Sequence, residues 1–139
     1  WLQHMVASMD GRKGRCAVVL PQGVLFHGGK EGAIRKQLIE SDKLECVITL
    51  VSGLFYSTGV SACILILNNN KPAERRGKIC LIDAATIYTA RRAQNIMTES
   101  DVVIARRQLV VGRRDRFLNC GLTRHPHAAH PPIRLNTTG

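Results

Sequence analysis

The chain has 139 residues, of which 20 are Lys or Arg and 10 are Asp or Glu, so its formal net charge is +10. This length allows one modest domain or part of a larger one, and it leaves little room for a complete enzyme with separate cofactor and substrate sites. A hydrophobic fraction of 45% excludes wholesale disorder, and no apolar run approaches the roughly 18 residues that span a membrane. The positive charge is compatible with a nucleic-acid partner but does not require one.

The first hundred residues alternate between amphipathic helical patterns and continuous apolar runs, which are typical of strands buried on both faces. This alternation predicts a layered α/β fold with a mainly parallel sheet, in which two successive strands joined by a short loop form an antiparallel pair at one edge. In chain order, the predicted elements are a helix over 2–9, a strand over 15–20, a helix over 30–41, a strand over 44–51, a loop over 52–59 and strands over 61–67 and 78–83.

The composition changes abruptly near residue 101. Residues 1–100 carry 13 basic and 8 acidic side chains, with Lys and Arg mixed, whereas residues 101–139 carry 7 basic side chains, all of them Arg, and no Glu. The pattern over 102–111 is compatible with one more strand, but the Arg-, His- and Pro-rich sequence beyond it has no periodicity that would bury a face. We therefore expect a folded region over 1–102 and a disordered or poorly packed tail over 103–139.

The cysteines predict buried thiols rather than disulfides or metal ligands. No C-x-x-C occurs, and four of the five cysteines lie in apolar, strand-like surroundings, which favours structural thiols and a reducing cytoplasm. Three histidines of the tail have spacing that could chelate a metal, but no carboxylate or thiolate accompanies them, so no metal site is predicted. These residues are Cys16, Cys46, Cys63, Cys80 and Cys120, and His125, His127 and His130.

The motifs of a self-contained enzyme are absent. The sequence contains no G-x-x-x-x-G-K-[ST], no G-x-G-x-x-G and no G-x-S-x-G. The pair Gly28-Gly29 is interpreted as a turn that starts a helix, His27 as a loop histidine rather than a base, and Asp83 as a cap at a strand end rather than a substrate contact. No catalytic or cofactor-binding residue is therefore assigned.

One segment, from Leu54 to Val60, resists a purely structural interpretation. Phe55 and Tyr56 are adjacent aromatics in a loop of Gly, Ser and Thr between two buried strands. We expect at least one ring to be exposed at the edge of the sheet, where α/β proteins place their sites. An exposed ring there could stack on a nucleic-acid base, and packing against a neighbouring helix is the alternative; the sequence leaves both open.

A series of blocks carries a family resemblance over residues 1 to about 102. In order and spacing they resemble the C-terminal half of the catalytic domain of N6-adenine DNA methyltransferases, in particular the modification subunit of type I restriction systems. The blocks are Gly14 to Phe26, Gly28 to Leu38, Val47 to Leu50, Leu54 to Val60, Ile64 to Leu67, Gly77 to Ala84 and Gln94 to Thr98.

The resemblance implies a partial Rossmann-like methyltransferase sheet and methyl transfer from S-adenosylmethionine to N6 of an adenine flipped out of DNA. It also implies a specificity and a restriction subunit as partners, and no membrane. The family's Asn-Pro-Pro-Phe/Tyr motif and cofactor loop do not occur in this sequence. We therefore expect a fragment that is inactive as isolated, and a chain that begins with Trp1 fits a piece of a longer one.

The residues that the resemblance assigns position a base and perform no chemistry. Phe55 lies where related enzymes place an aromatic against the flipped base, with Tyr56 and Thr58 beside it. Pro21 and Phe26 bound a segment that resembles the loop lining the target pocket. Arg35 is implied to be a structural or phosphate-facing helix residue.

After Val102 the sequence departs from the family. Family members continue with a Glu/Lys-rich helical stretch, whereas Arg, His and Pro dominate here. Translation of a GC-rich gene in a shifted frame would produce such a tail. The alternative to a methyltransferase fragment is a non-catalytic basic α/β module that binds nucleic acid or a protein partner, while half of a dehydrogenase would need a glycine fingerprint that is absent.

Overall fold

A computed structural model describes residues 1–55, 58–92, 94–107 and 109–113. Up to residue 84, the helices and strands agree with the predicted ones to within about two residues, and the predicted α/β class is confirmed. The elements are α1 (Leu2–Ser8), β1 (Arg15–Pro21), a 3-10 turn (Gln22–Leu25), α2 (Gly29–Glu40), β2 (Leu44–Leu50), β3 (Ala62–Asn68), a second 3-10 turn (Ala73–Arg75), β4 (Lys78–Ala84), α3 (Glu99–Arg107) and β5 (Leu109–Arg113).

The five strands form one mixed sheet in the order β1-β3-β2-β4-β5. β2 and β4 pair in parallel, whereas β1–β3, β2–β3 and β4–β5 are antiparallel. The antiparallel pair expected around loop 52–59 is present, but β3 lies inside the sheet because β1 pairs with its other side. Within the described residues the sheet is therefore less parallel than the sequence suggested.

β1, β2 and β4 nevertheless run in one direction, because β1 and β2 are both antiparallel to β3 and β4 is parallel to β2. Their carboxyl ends and the start of β3 meet at one edge of the sheet, which we call the carboxyl edge. Three loops rise from this edge: residues 22–28 after β1, residues 51–61 between β2 and β3, and residues 85–98 after β4. In α/β folds, such an edge is the usual place for a binding site.

The hydrophobic core lies mainly on one face of the sheet, under α1 and α2. Alternate residues of the strands point into it, which explains why Val47 and Leu81 are buried there while Ile48 and Ile82 contribute to a smaller cluster on the other face with Ala105 of α3. The buried members of the larger cluster are Leu25, Ile39, Leu44, Val47, Cys63, Leu65, Leu67, Ile79 and Leu81.

The cysteines within the described ranges are free thiols. Cys46 and Cys63 are buried, and Cys16 and Cys80 are half-buried, as expected for structural thiols; Cys120 lies outside the described residues. Burial raises the pKa of Cys63 to about 11. No helix in the described part of the chain is long and apolar enough to cross a membrane.

The boundary predicted at residue 102 falls inside α3. This helix continues to Arg107 with Ala105 buried, and β5 then pairs with β4 from Ile82↔Leu109 to Lys78↔Arg113. The strand considered over 102–111 is thus helical as far as Arg107, and the described tail residues up to 113 belong to the fold. The rest of the predicted tail, 114–139, lies outside the described residues.

Candidate functional site

Two loops that carry predicted site residues adjoin at the carboxyl edge. Pro21, the last residue of β1, pairs in register with Ala62, the first residue of β3. The backbone N–H of Gln22 then donates to the carbonyl of Ser61 at 2.9 Å. Because these bonds join the start of loop 22–28 to the end of loop 51–61, Pro21 and Phe26 lie on a loop next to that of Phe55 and Thr58.

In loop 51–61 an aromatic ring faces solvent. Phe55 is 43% exposed, which favours an available ring over one packed under a helix. Thr58 is half-buried, and its hydroxyl accepts the backbone N–H of Val60 at 3.1 Å, so this side chain closes a local turn. Tyr56, the third residue predicted on this loop, lies outside the described residues.

Loop 22–28 presents a second exposed ring. Phe26 is 56% exposed and meets the ring of His27 edge to face, with ring centroids 5.2 Å apart. His27 Nδ1 lies 2.8 Å from Glu31 Oε2, so the carboxylate orients the imidazole. Pro21 is exposed at the end of β1. The loop histidine expected from the sequence is thus paired with a carboxylate on the first turn of α2.

Arg35 of α2 and Gly23 of the loop itself determine the conformation of loop 22–28. The Arg35 guanidinium donates through Nη1 to the carbonyls of Val24 at 2.9 Å and His27 at 3.0 Å, which makes it a structural residue. A Cβ on Gly23 would lie 2.7 Å from Cε1 of the His27 ring, so glycine leaves the room that the imidazole occupies. Gly29, at φ +59°, starts α2 as the sequence suggested.

The third loop, 85–98, contributes contacts to which the sequence analysis assigned no role. The Asn95 backbone N–H donates to the carbonyl of Gly53 at 3.0 Å, and its side-chain Nδ2 donates to the carbonyl of Ser52 at 2.8 Å. The neighbouring Gln94 has a buried Oε1 for which the described residues supply no hydrogen-bond partner. The only signal in the sequence was the pair of amides, Gln94-Asn95, within a block of the resemblance.

Each of the three loops carries at least one exposed apolar side chain. Phe26, Phe55, Val60 and Tyr88 are each between 42% and 58% exposed, and all four lie on loops of the carboxyl edge. Three of the four are aromatic, which suits a surface that receives an apolar or aromatic ligand. Loop 85–98 also carries two exposed cations, at residues 91 and 92, which suit a polyanionic ligand.

Two aspartates near this edge have structural partners. Asp83 accepts the Thr49 hydroxyl at 2.7 Å and the Ala85 N–H at 3.1 Å, as expected of a cap. Asp101 accepts the N–H and hydroxyl of Thr98, and these hydrogen bonds lower its pKa. Within the described ranges no group of three His, Cys, Asp or Glu side chains is placed to hold a metal ion.

A family model described as N-6 DNA methylase matches residues 1–110. The chain belongs to the N-6 DNA methylase family. The type I restriction enzyme HindI methylase subunit of Haemophilus influenzae is 38% identical over 104 residues, 73% of this chain and 23% of that protein. The MjaVII methylase subunit of Methanocaldococcus jannaschii is 44% identical over 85 residues, 61% of this chain and 14% of that protein.

The fold places this N-6 DNA methylase chain with solved type I methyltransferase subunits. The subunit from Streptococcus thermophilus superposes with a TM-score of 0.73 at 28% identity, over 84% of this chain and 26% of that one. The partial methyltransferase sheet that the resemblance implied is therefore confirmed. The chain spans about a quarter or less of the length of these relatives.

Two cavities of the described part of the chain lie away from the carboxyl edge. A cavity of about 520 Å³ lies at the opposite edge, lined in part by Asp42, Asn69 and Lys71. A second, of about 330 Å³, lies between α1 and α2. Neither is lined by a residue of the three carboxyl-edge loops.

Proposed function

We propose that this chain supplies the target-base side of a DNA adenine-N6 methyltransferase, the modification subunit of a type I restriction-modification system. The observation that carries the proposal is the exposure of Phe55 and Phe26 on two adjoining loops of the carboxyl edge, in a chain of the N-6 DNA methylase family. An enzyme that modifies a base edge must take the base out of the helical stack, and exposed rings receive the extruded base.

Each proposed site residue positions the base rather than reacting with it. Phe55 packs against the flipped adenine, with Tyr56 and Thr58 beside it on the same loop. Pro21 and Phe26 line the pocket from the adjoining loop. Stacking a base on an aromatic ring contributes about 1–3 kcal/mol, which is enough to hold an unpaired adenine. No catalytic acid, base or nucleophile is assigned to the described residues.

S-adenosylmethionine is the proposed methyl donor, whose sulfonium supplies the transferable methyl group when bound. Among the described residues, Glu31 and Asp83 are two carboxylates near the carboxyl edge that could bind a ribose, and they already pair with His27 and Thr49, respectively, so they do not fit the donor. The relatives are about four or more times longer than their match to this chain. We place the donor site in that remaining part and expect no methyl transfer by the 139-residue chain alone.

The test of that expectation is a labelled-methyl assay. The purified chain is incubated with S-adenosylmethionine labelled in its methyl group and with unmethylated DNA. We expect no label in the DNA beyond a protein-free control, since the proposed donor site lies in the part of the relatives that this chain does not match. Incorporation into adenine N6 would contradict the proposal that the donor is bound elsewhere.

The proposed partners are DNA and the specificity and restriction subunits of a type I system, and the proposed location is the cytoplasm. Support for the subunits comes from the relatives, which are named as methylase subunits of type I restriction enzymes. Support for the cytoplasm comes from the four free thiols in the described ranges, because free cysteines persist in reducing compartments.

We also propose that the segment after residue 113 does not belong to the domain and results from a shifted reading frame. The family match ends at residue 110 and β5 ends at Arg113, so the proposed boundary lies about ten residues later than the composition suggested. Sequencing the locus tests this proposal, and an intact reading frame that encodes the same Arg-, His- and Pro-rich sequence in related strains would contradict it.

Base binding is tested with 2-aminopurine, an adenine analogue whose fluorescence falls when it stacks. The chain is titrated into a gapped duplex with 2-aminopurine unpaired in the gap. Phe55→Ala is expected to weaken binding by about 5- to 150-fold, from the stacking energy lost. Val103→Ala is the control, since Val103 is 54% exposed on α3, outside the three loops. Equal affinity of both variants would overturn the role of Phe55.

A further inference from the structure

The loop that carries Phe55 is held at its start by another loop. After the buried Val51, the chain turns at Gly53, whose φ is +70°. The carbonyls of Ser52 and Gly53 point away from the sheet ladder and accept hydrogen bonds from the side-chain Nδ2 and the backbone N–H of Asn95, respectively. Among the described residues, these are the hydrogen bonds that fix the first half of loop 51–61.

Asn95 is itself fixed to the rest of the fold. Thr89 and Ile96 form a two-residue antiparallel bridge with hydrogen bonds of 2.8 and 3.0 Å. On either side of this bridge, Ile87 and Met97 pack into the small cluster with Ala84 of β4 and Ala105 of α3. We call the two hydrogen bonds from Asn95 to Ser52 and Gly53 the clamp. Through Asn95, the clamp is attached to the sheet by buried contacts that do not include the Phe55 loop.

We propose that Asn95 is a positioning residue for the target base: its two hydrogen bonds to consecutive carbonyls fix the loop from which Phe55 projects. The role rests on the proposed function of Phe55. The amide suits it because its NH2 group is a neutral donor, so the donor to Ser52 adds no charge beside two carbonyl oxygens. An aspartate has the same shape but presents only acceptors, and it would place a negative oxygen against the Ser52 carbonyl.

Hydrogen exchange measured by mass spectrometry on the 139-residue chain tests the clamp directly. Asn95→Asp and Asn95→Ala remove the side-chain donor and retain the backbone N–H. Loss of one hydrogen bond is expected to speed exchange in the peptide spanning 52–60 by about three- to tenfold, with β2 unchanged. Asn70→Asp, the same substitution on an exposed residue near the opposite edge, is the control and leaves exchange over 52–60 unchanged.

The affinity for the gapped 2-aminopurine duplex separates positioning from a purely structural role. We expect both Asn95 variants to lower it by a similar factor, while Asn70→Asp does not. Unchanged exchange over 52–60 overturns the clamp whatever the DNA result. Faster exchange with undiminished affinity overturns the positioning role, as does faster exchange that extends equally into β2. If Phe55→Ala also binds undiminished, the proposed function itself has failed.

Discussion

At the scale of single residues, the loop after β1 depends on contacts that join distant positions. Arg35 contacts the carbonyl of Val24, eleven positions earlier in the chain, and the Gly23 backbone leaves space for the His27 ring. The family resemblance implied that Arg35 is a structural or a phosphate-facing residue. The sequence does not distinguish these two roles, because they depend on how α2 packs against the 3-10 turn. The structure assigns the structural role.

Replacing Arg35 with Ala is expected to destabilise the fold. The substitution removes two hydrogen bonds from a charged donor and leaves two carbonyls short of a partner, which lowers the free energy of unfolding by about 1.5–3 kcal/mol. Lys36→Ala on the same helix is the matched control, because its exposed ammonium only approaches Glu40 at 3.8 Å and contributes within about 0.5 kcal/mol. Urea unfolding followed by circular dichroism measures both, and equal losses would contradict the assignment.

Cys63 gives the fold a sensitivity to alkaline pH. Its fully buried thiol has a pKa raised from 9.0 to about 11 by loss of hydration. Above pH 9 the unfolded chain ionises first, so the contribution of this thiol to stability is complete below pH 9 and is lost as the pH rises towards 11, at up to about 1.4 kcal/mol per pH unit. Cys63→Ala should flatten the dependence of the unfolding free energy on pH over this window. An unchanged slope would contradict this origin.

At the scale of elements, the start of α3 has a helix signal that the strand prediction over 102–111 did not take into account. Thr98 and Asp101 have the spacing of a capping box, and Asp101 accepts the Thr98 N–H at 2.8 Å. The apolar residues from Val102 to Ile104 instead favoured a strand, because short apolar runs do not distinguish a strand from one helical face. These three side chains are largely exposed on the helix, so burial did not determine this element.

The cap predicts how α3 responds to acid. Hydrogen bonds from Thr98 and Thr89 lower the pKa of Asp101 below its usual 3.8, so its stabilising effect is present above pH 3.8 and is lost as the pH falls through the lowered value. Asp101→Asn should therefore speed hydrogen exchange over 99–107 at pH 6, and the difference from the unsubstituted chain should shrink near pH 2. A difference that persists unchanged at pH 2 would contradict a charge-dependent cap.

The apolar pattern of the sequence predicts where the strands lie but not the order in which they pair. Continuous apolar runs located all four strands up to residue 84. β1 lies at an edge of the sheet and alternates between exposed and half-buried residues, so its apolar run did not mean burial on both faces. β2, β3 and β4 are covered on both faces for much of their length. Continuous apolar runs do not reveal the order of the strands. A run such as Ala62–Asn68 does not show which strand it pairs with, or whether the pairing is parallel or antiparallel. Placing β3 between β1 and β2 required the long-range register, and the adjacency of Pro21 to Ala62 at the site follows from that register.

At the scale of the whole molecule, the limits of the folded unit are open to measurement. β5 covers the outer edge of β4, and α3 covers part of one face. A chain ending at residue 113 should keep the unfolding midpoint of the 139-residue chain, whereas one ending at residue 102 should unfold at lower denaturant concentration, because it loses β5 and buried Ala105. Equal stability of the two shortened chains would show that α3 and β5 add nothing to the domain.

The net charge contributes less to the functional argument than its size suggests. Half of the +10 belongs to residues 101–139, so charge alone says little about DNA binding by the folded region. The connection to DNA rests instead on family membership and on the exposed rings of the carboxyl edge. Sequence patterns and the resemblance predicted those rings, but not the Asn95 contacts, because no local pattern shows which loops meet.

Photo-crosslinking from an unpaired adenine identifies the loops that contact the base. A gapped duplex with 8-azidoadenine in the gap is irradiated in complex with the chain, and the attached peptide is identified by mass spectrometry. We expect crosslinks within 52–60 and 21–27, the two adjoining segments at the carboxyl edge. Crosslinks confined to residues 68–76, around the cavity at the opposite edge, would contradict the proposed base-binding role of these two segments.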